Sequence, residues 1–219
     1  MVLTGILATG LMLSGCGGKA TAIQTNTGAT PKAETYAKVE STATATVKTA
    51  AADKQAVQPG NLALVYTYKS KAGAWANQIA AWVEDENGHI VRTLMATRFT
   101  AQGGYKKRSM SLPVWVKRSG LARMDSSRVD SLTRATPRAG EQVLVWDGKN
   151  DDGQPVPDGT YKVILEATLY SNSDELFTGS FVKGGQDQNI KMDIQLNQEP
   201  EQKGNLDMIS GVSAFYKGQ

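Results

Sequence analysis

One stretch of the chain concentrates charge. Residues 98–138 hold Arg98, Lys106, Lys107, Arg108, Lys117, Arg118, Arg123, Arg128, Arg134 and Arg138 against only Asp125 and Asp130. Ten cations and two acids give +8 there; the whole chain carries +3, so the remainder carries −5. Such asymmetry favours an anionic partner: lipid headgroups, a bound phosphate or an acidic protein face. Lys106, Lys107, Arg108, Lys117 and Arg118 are the anion-binding candidates. Other chemistry is thinly provided. One Cys and one His exclude a disulfide within the chain and a structural zinc site, which takes about four such ligands. Asp147, Asn150, Asp151 and Asp152 invite a calcium reading. With Gly153 at the sixth loop position, however, Gly148 falls where the first oxygen ligand belongs. No metal site is predicted. Glu84-Asp85-Glu86 offers carboxylates for acid–base work, but at a strand end they read as a solvated hairpin. His89 has no Ser or Cys motif beside it. No catalytic residue is expected, and the chain reads as a non-enzyme.

The N-terminus carries a different chemistry. Val2 to Gly15 is uncharged and apolar. It is too short to span a bilayer, which takes about 20 apolar residues, and fits the apolar region of a signal peptide. It ends in Leu13-Ser14-Gly15-Cys16-Gly17-Gly18. This resembles a bacterial lipobox. The resemblance implies cleavage before Cys16, a diacylglycerol on its thiol and a stable anchor of several acyl chains. Gly17 is not Asp, which by the common sorting rule favours the outer membrane over the inner.

A second resemblance lies inside the basic stretch. Asp130-Ser131-Leu132-Thr133-Arg134-Ala135-Thr136 resembles the Asp-x-x-Ser/Thr-Gly-Ala-Thr acceptor for covalent flavin. The resemblance implies Thr136 as the hydroxyl that takes FMN through its phosphate, with Asp130, Thr133 and Arg134 as the rest of the motif. Arg134 stands where the motif has Gly. Arg134 and Arg138 would supply cations for the phosphate.

Three segments position these residues. Residues 1–15 are the signal peptide. Residues 16–60 are the acylated Cys and a low-complexity Ala/Thr/Lys/Gln tether, as in Ser41-Thr42-Ala43-Thr44-Ala45-Thr46. Such a composition buries too little apolar surface to offset its ordering entropy and is read as disordered. Its reach is on the order of 35–40 Å. Residues 61–219 form the folded domain. There the apolar period becomes two: Leu62, Leu64, Tyr66 and Tyr68; Ile79, Ala81 and Val83; Val143 and Val145; Tyr161, Val163, Leu165 and Ala167; Met192, Ile194 and Leu196. Asn87-Gly88 marks a hairpin, and Phe177–Val182 and Leu206–Tyr216 read as further strands. Seven or eight short strands predict an all-β, immunoglobulin-like antiparallel sandwich. Residues 98–138 break the pattern and read as a partly helical insertion, with a helix opening at Pro113.

Trp146-Asp147-Gly148-Lys149-Asn150-Asp151-Asp152-Gly153-Gln154-Pro155-Val156-Pro157-Asp158-Gly159-Thr160-Tyr161 is similar to the hairpin of the immunoglobulin-like domain of flagellar hook-capping proteins. Ala80–Gly88, Val91–Leu94, Leu112–Trp115 and Val129–Pro137 precede it in order. Together they resemble a predicted periplasmic domain of unknown function, family 2271, over residues 61 to about 170. That resemblance implies an extracytoplasmic sandwich, in the neighbourhood of flavin transferases and PepSY-type membrane proteins. The expected function is a lipid-anchored accessory or interaction module of an envelope complex, without cofactor. The alternatives are an electron carrier bearing FMN on Thr136 and a structural cap or scaffold. The membrane and an envelope protein are the expected partners. Nucleic acid and a small-molecule substrate are not.

Overall fold

The computed structural model describes residues 57–70, 77–168, 173–198 and 208–219. Cys16, the lipobox, the tether up to residue 56 and Trp75 lie outside them. Among the described residues ten strands run in chain order: β1 (Leu62–Tyr68), β2 (Gln78–Asp85), β3 (Ile90–Thr97), β4 (Thr133–Arg134), β5 (Gly140–Trp146), β6 (Gly159–Thr168), β7 (Ser173–Lys183), β8 (Gln188–Ile190), β9 (Asp193–Gln198) and β10 (Ile209–Tyr216). They form two sheets, ordered β5-β1-β10-β8 and β4-β3-β2-β6-β7-β9. Every pairing is antiparallel except the two-residue β3–β4 contact. The strands β4 and β8 are too short for a period of two to reveal them, so ten strands stand where alternation predicts seven or eight.

The two sheets close on each other as a sandwich. The inner core takes the odd or even residues that alternation marks: Leu62, Leu64, Tyr66 and Tyr68 from β1, Ile79, Ala81 and Val83 from β2, and Tyr161, Val163, Leu165 and Ala167 from β6. At one end four rings meet. Trp146 lies 5.4 Å from Tyr161 and 5.9 Å from Phe181, and Phe181 lies 5.5 Å from Tyr216. Each such pair adds about 0.5–1.5 kcal/mol beyond its burial. The polar tips are satisfied locally. Trp146 Nε1 donates to Lys149 O at 2.7 Å and the Tyr161 hydroxyl to Pro157 O at 2.7 Å. The second bond resembles the tyrosine corner of immunoglobulin-like sandwiches. Val143 and Val145, although they alternate, lie on the outer face and are exposed, while Leu144 and Trp146 point inward.

The centre of the large sheet is buried on both faces, while β9 at its edge is exposed. Strand β2 is covered along almost its whole length, Gln78 to Glu84. A second core sits on its far side: Ala80, Trp82, Ala96 and Ile164 meet Ala101, Leu112, Trp115 and Leu121. The last four come from the insertion. As the partly helical reading expects, residues 98–138 carry short helices, and these form a layer on the outer face. It contains α1 (Arg98–Ala101), α2 (Pro113–Ser119) and α3 (Ser126–Leu132), with 3-10 turns at Gly104–Lys106 and Leu121–Arg123. The sandwich is therefore three layers deep on this side.

Candidate functional site

The helical layer is fastened to the sheet by buried polar side chains that point out of the strands. Gln78 of β2 accepts from Thr97 Oγ1 at 2.7 Å and from Thr100 N and Oγ1, at 3.2 and 2.9 Å. That fixes the start of α1. Glu84, at the other end of β2, accepts from Trp82 Nε1 at 2.7 Å and from Arg118 Nη1 at 2.6 Å with both oxygens. Glu166 of β6 pairs in register with Ala80 and reaches the start of α2. Its two oxygens accept from Val114 N at 2.9 Å and Trp115 N at 2.8 Å.

The start of α2 explains why acceptor oxygens are needed there. Leu112, the residue before the helix, has φ 52° and no capping side chain of its own. A left-handed non-glycine residue costs roughly 1–2 kcal/mol, and here it lets the Leu112 side chain enter the outer core. Pro113 has no N–H to donate, so Val114 and Trp115 carry the first orphan donors of the helix. Glu166 supplies the missing cap from the neighbouring layer. Gly120, at φ 66°, ends the helix in the left-handed conformation. Asp125 caps α3 by accepting from Arg128 N at 2.8 Å.

This scaffold sorts the ten cations of the layer. Four are engaged within the fold. Arg118 pairs with Glu84. Arg128 bridges Asp151 and Asp152 at 3.4 and 2.7 Å. Arg134 Nε donates to Leu94 O at 3.3 Å. Arg108 is buried with its guanidinium 5.9 Å from the Phe99 ring, and burial lowers its pKa. Of the five anion-binding candidates, Arg108 is therefore an internal group. Lys106, Lys107 and Lys117 are exposed, and no ion pair involves them among the described residues. Arg98, Arg123 and Arg138 are exposed in the same way.

Beside α2 lies a cleft of about 430 Å³, lined by Pro113, Val114, Lys117, Arg118, Asp174, Leu176 and Gln195. Asp174 lines it, and Glu166, fully buried, lies behind the first turn of α2. Burial, with the nearby Asp174 adding, pushes Glu166 up to about 8 despite the two N–H groups that favour its charged form. Burial pushes Asp174 up to about 6. Asp174 is 5% exposed, and its Oδ1 has no hydrogen-bond partner among the described residues. An acid perturbed by burial in a cleft makes that cleft a candidate functional site.

The remaining sequence candidates are scattered. Thr136 is exposed in the segment between β4 and β5. Asp130 is exposed at the end of α3, 3.4 Å from Gln102 Nε2. The Thr133 hydroxyl donates back to Val129 O at 2.7 Å. The acids of the Trp146–Tyr161 turn have structural work: Asp151 Oδ1 accepts from Thr93 N at 3.0 Å, while Asn150 O accepts from Arg92 Nη1 at 2.9 Å. They tie the turn to β3. His89 is exposed, with its ring 3.2 Å from Asp85 Oδ2. Glu84 differs from the solvated hairpin acid its position suggests, being 1% exposed. Trp82, Trp115 and Trp146 are all core residues.

Sequence reasoning missed Glu166, Gln78 and Asp174. One signal was available. Ile79-Ala80-Ala81-Trp82-Val83 is apolar at both parities, as expected for a strand covered on both faces. A polar residue at either end of such a run must be partnered. No curated protein and no solved structure matches the chain. Residues 62–207 match the family described as a predicted periplasmic protein, DUF2271. With most of the chain matched, this two-sheet domain and its helical layer belong to the DUF2271 family of predicted periplasmic proteins.

Proposed function

We propose that the protein is a non-catalytic accessory module of a bacterial envelope complex, held at the membrane by acyl chains on Cys16. The observation that carries the reading is the set of exposed cations on the helical layer. Lys106, Lys107 and Lys117 project from a layer that Gln78, Glu84 and Glu166 hold to the sheet. A cation surface held in place loses less side-chain and loop entropy on docking than a solvated loop does. It suits an acidic protein face of the complex. The lipobox at Leu13–Cys16 supports the anchor, and the family description supports the compartment.

Cross-linking from position 107 in native membranes tests the docking. Lys106→Glu with Lys107→Glu should weaken partner capture about tenfold, and wild-type capture should fall as salt screens the surface. Capture indifferent to both would rule this surface out. Cys16→Ser should release the protein from the membrane; a retained variant would contradict the anchor.

A second reading is an electron carrier with FMN on Thr136. The exposure of Thr136 favours it, since a transferase must reach that hydroxyl. The bulk of Arg134 where the motif has Gly weighs against it. In-gel flavin fluorescence of protein from its native host, lost in Thr136→Ala, is the expected result. Fluorescence that survives the substitution would exclude Thr136.

A further inference from the structure

The cleft beside α2 carries an inference beyond the cation surface. Its two walls differ in charge. On the strand side stands Asp174 of β7, 95% buried by its 5% exposure, with Oδ1 unpartnered among the described residues. On the helix side stands Lys117, exposed and without an ion pair among the described residues. The neighbouring Arg118 is already held by Glu84 at 2.6 Å. The rest of the lining is apolar from Pro113, Val114 and Leu176, with Gln195 of β9 as a polar group beside Leu176.

A buried carboxylate oxygen without a donor is costly, because the group has lost its water and gained nothing in return. A cation bearing N–H donors is the natural complement. A simple polyamine would meet repulsion from Lys117 and Arg118. A ligand with an ammonium group at one point and an acid group at another meets opposite charge at both. The cleft volume, about 430 Å³, lies in the range of small-molecule sites. We propose that this cleft binds a small zwitterion, with its ammonium group on Asp174, its acid group on Lys117 and its apolar body against Leu176 and Val114. Two sources share that chemistry: a free amino acid and an ethanolamine phosphate headgroup.

Calorimetric titration of the full chain tests it with four probes: L-leucine, leucine amide, 4-methylpentanoate and glycerophosphoethanolamine. Leucine or glycerophosphoethanolamine should bind, and which of them binds identifies the source. Leucine amide and 4-methylpentanoate, each missing one charge, should bind at least about tenfold more weakly than leucine if leucine is the ligand. Asp174→Asn should lower affinity for the zwitterion by about tenfold or more. Lys117→Met, at an exposed position that the fold does not need, should erase the preference for leucine over its amide, or weaken glycerophosphoethanolamine to the same extent. Circular dichroism establishes that Asp174→Asn is folded; if it is not, the Lys117→Met result decides. Absence of binding by both zwitterions up to about 10 mM, or undiminished affinity in the Asp174→Asn or Lys117→Met protein, would overturn the proposal.

Discussion

At the centre of the large sheet the two faces are buried by different means. The inner face is closed by aliphatic and aromatic side chains from two sheets, with the Trp146, Tyr161, Phe181 and Tyr216 rings at one end. The outer face has a smaller apolar core, around Trp82 and Trp115, and is bordered by Gln78, Glu84 and Glu166. Non-directional burial holds two sheets together well, because each brings a whole face. Short helices bring only a stripe. Each of α1, α2 and α3 is too short to be stable alone, so directional bonds set where they sit. The inner core makes the domain; the polar contacts of the outer core decide where its cations stand.

Truncating a tryptophan on each face is the strongest way to separate the two. Trp146→Ala and Trp115→Ala should each cost roughly 3–5 kcal/mol. Trp146→Ala should lower the melting temperature of the whole domain. Trp115→Ala should instead raise hydrogen exchange in residues 98–138 first, with the sandwich strands still protected. Equal exchange in both regions of the Trp115→Ala protein would show the layers to be one cooperative unit.

Titration sharpens the contrast, because the outer face holds the raised acids. Glu166 has a folded pKa near 8 against an ordinary 4.5. Between those values the folded chain keeps a proton that the unfolded chain has released, so stability is fully present below about pH 4.5 and falls as pH rises toward 8. The loss attributable to Glu166 should be on the order of 2–4 kcal/mol. Glu166→Gln should flatten that slope when denaturation midpoints are compared from pH 5 to 8. A slope unchanged in the variant would remove Glu166 as its source. Asp174, raised to about 6, should contribute in the same direction over the lower part of the range.

The Glu84–Arg118 pair should matter less, because the arginine is 41% exposed. Glu84→Gln should cost about 1–3 kcal/mol, while Arg118→Met should cost about as much by leaving the carboxylate unpaired. A double variant that restores most of the loss would show the penalty to lie in the orphaned partner. The smallest effect belongs to the outer face of the small sheet. Val145→Thr, at a 51% exposed position, should change stability by less than about 0.5 kcal/mol in chemical denaturation.

Much of the inner core was legible before the fold was known. Leu62, Leu64, Tyr66 and Tyr68 alternate because one side of β1 faces the other sheet. The Asn87-Gly88 pair marks the β2–β3 turn, where Gly88 has φ 80°. Pro113 marks the first turn of α2. Val143 and Val145 show the limit: alternation says that two faces differ, and it does not say which one is covered.

The sequence by itself determined the strand-forming segments, the hairpins, the inner aromatic residues and the charge of the insertion. These follow from local chemistry: backbone propensity, period two, turn residues and composition. Only the tertiary structure decided that the insertion folds back over β2 and β6, that Glu84 meets Arg118 across 34 residues and that Glu166 caps a helix 52 residues away. Burial and pairing are properties of neighbours in space. An acid reads as a surface group until the fold brings a helix over it.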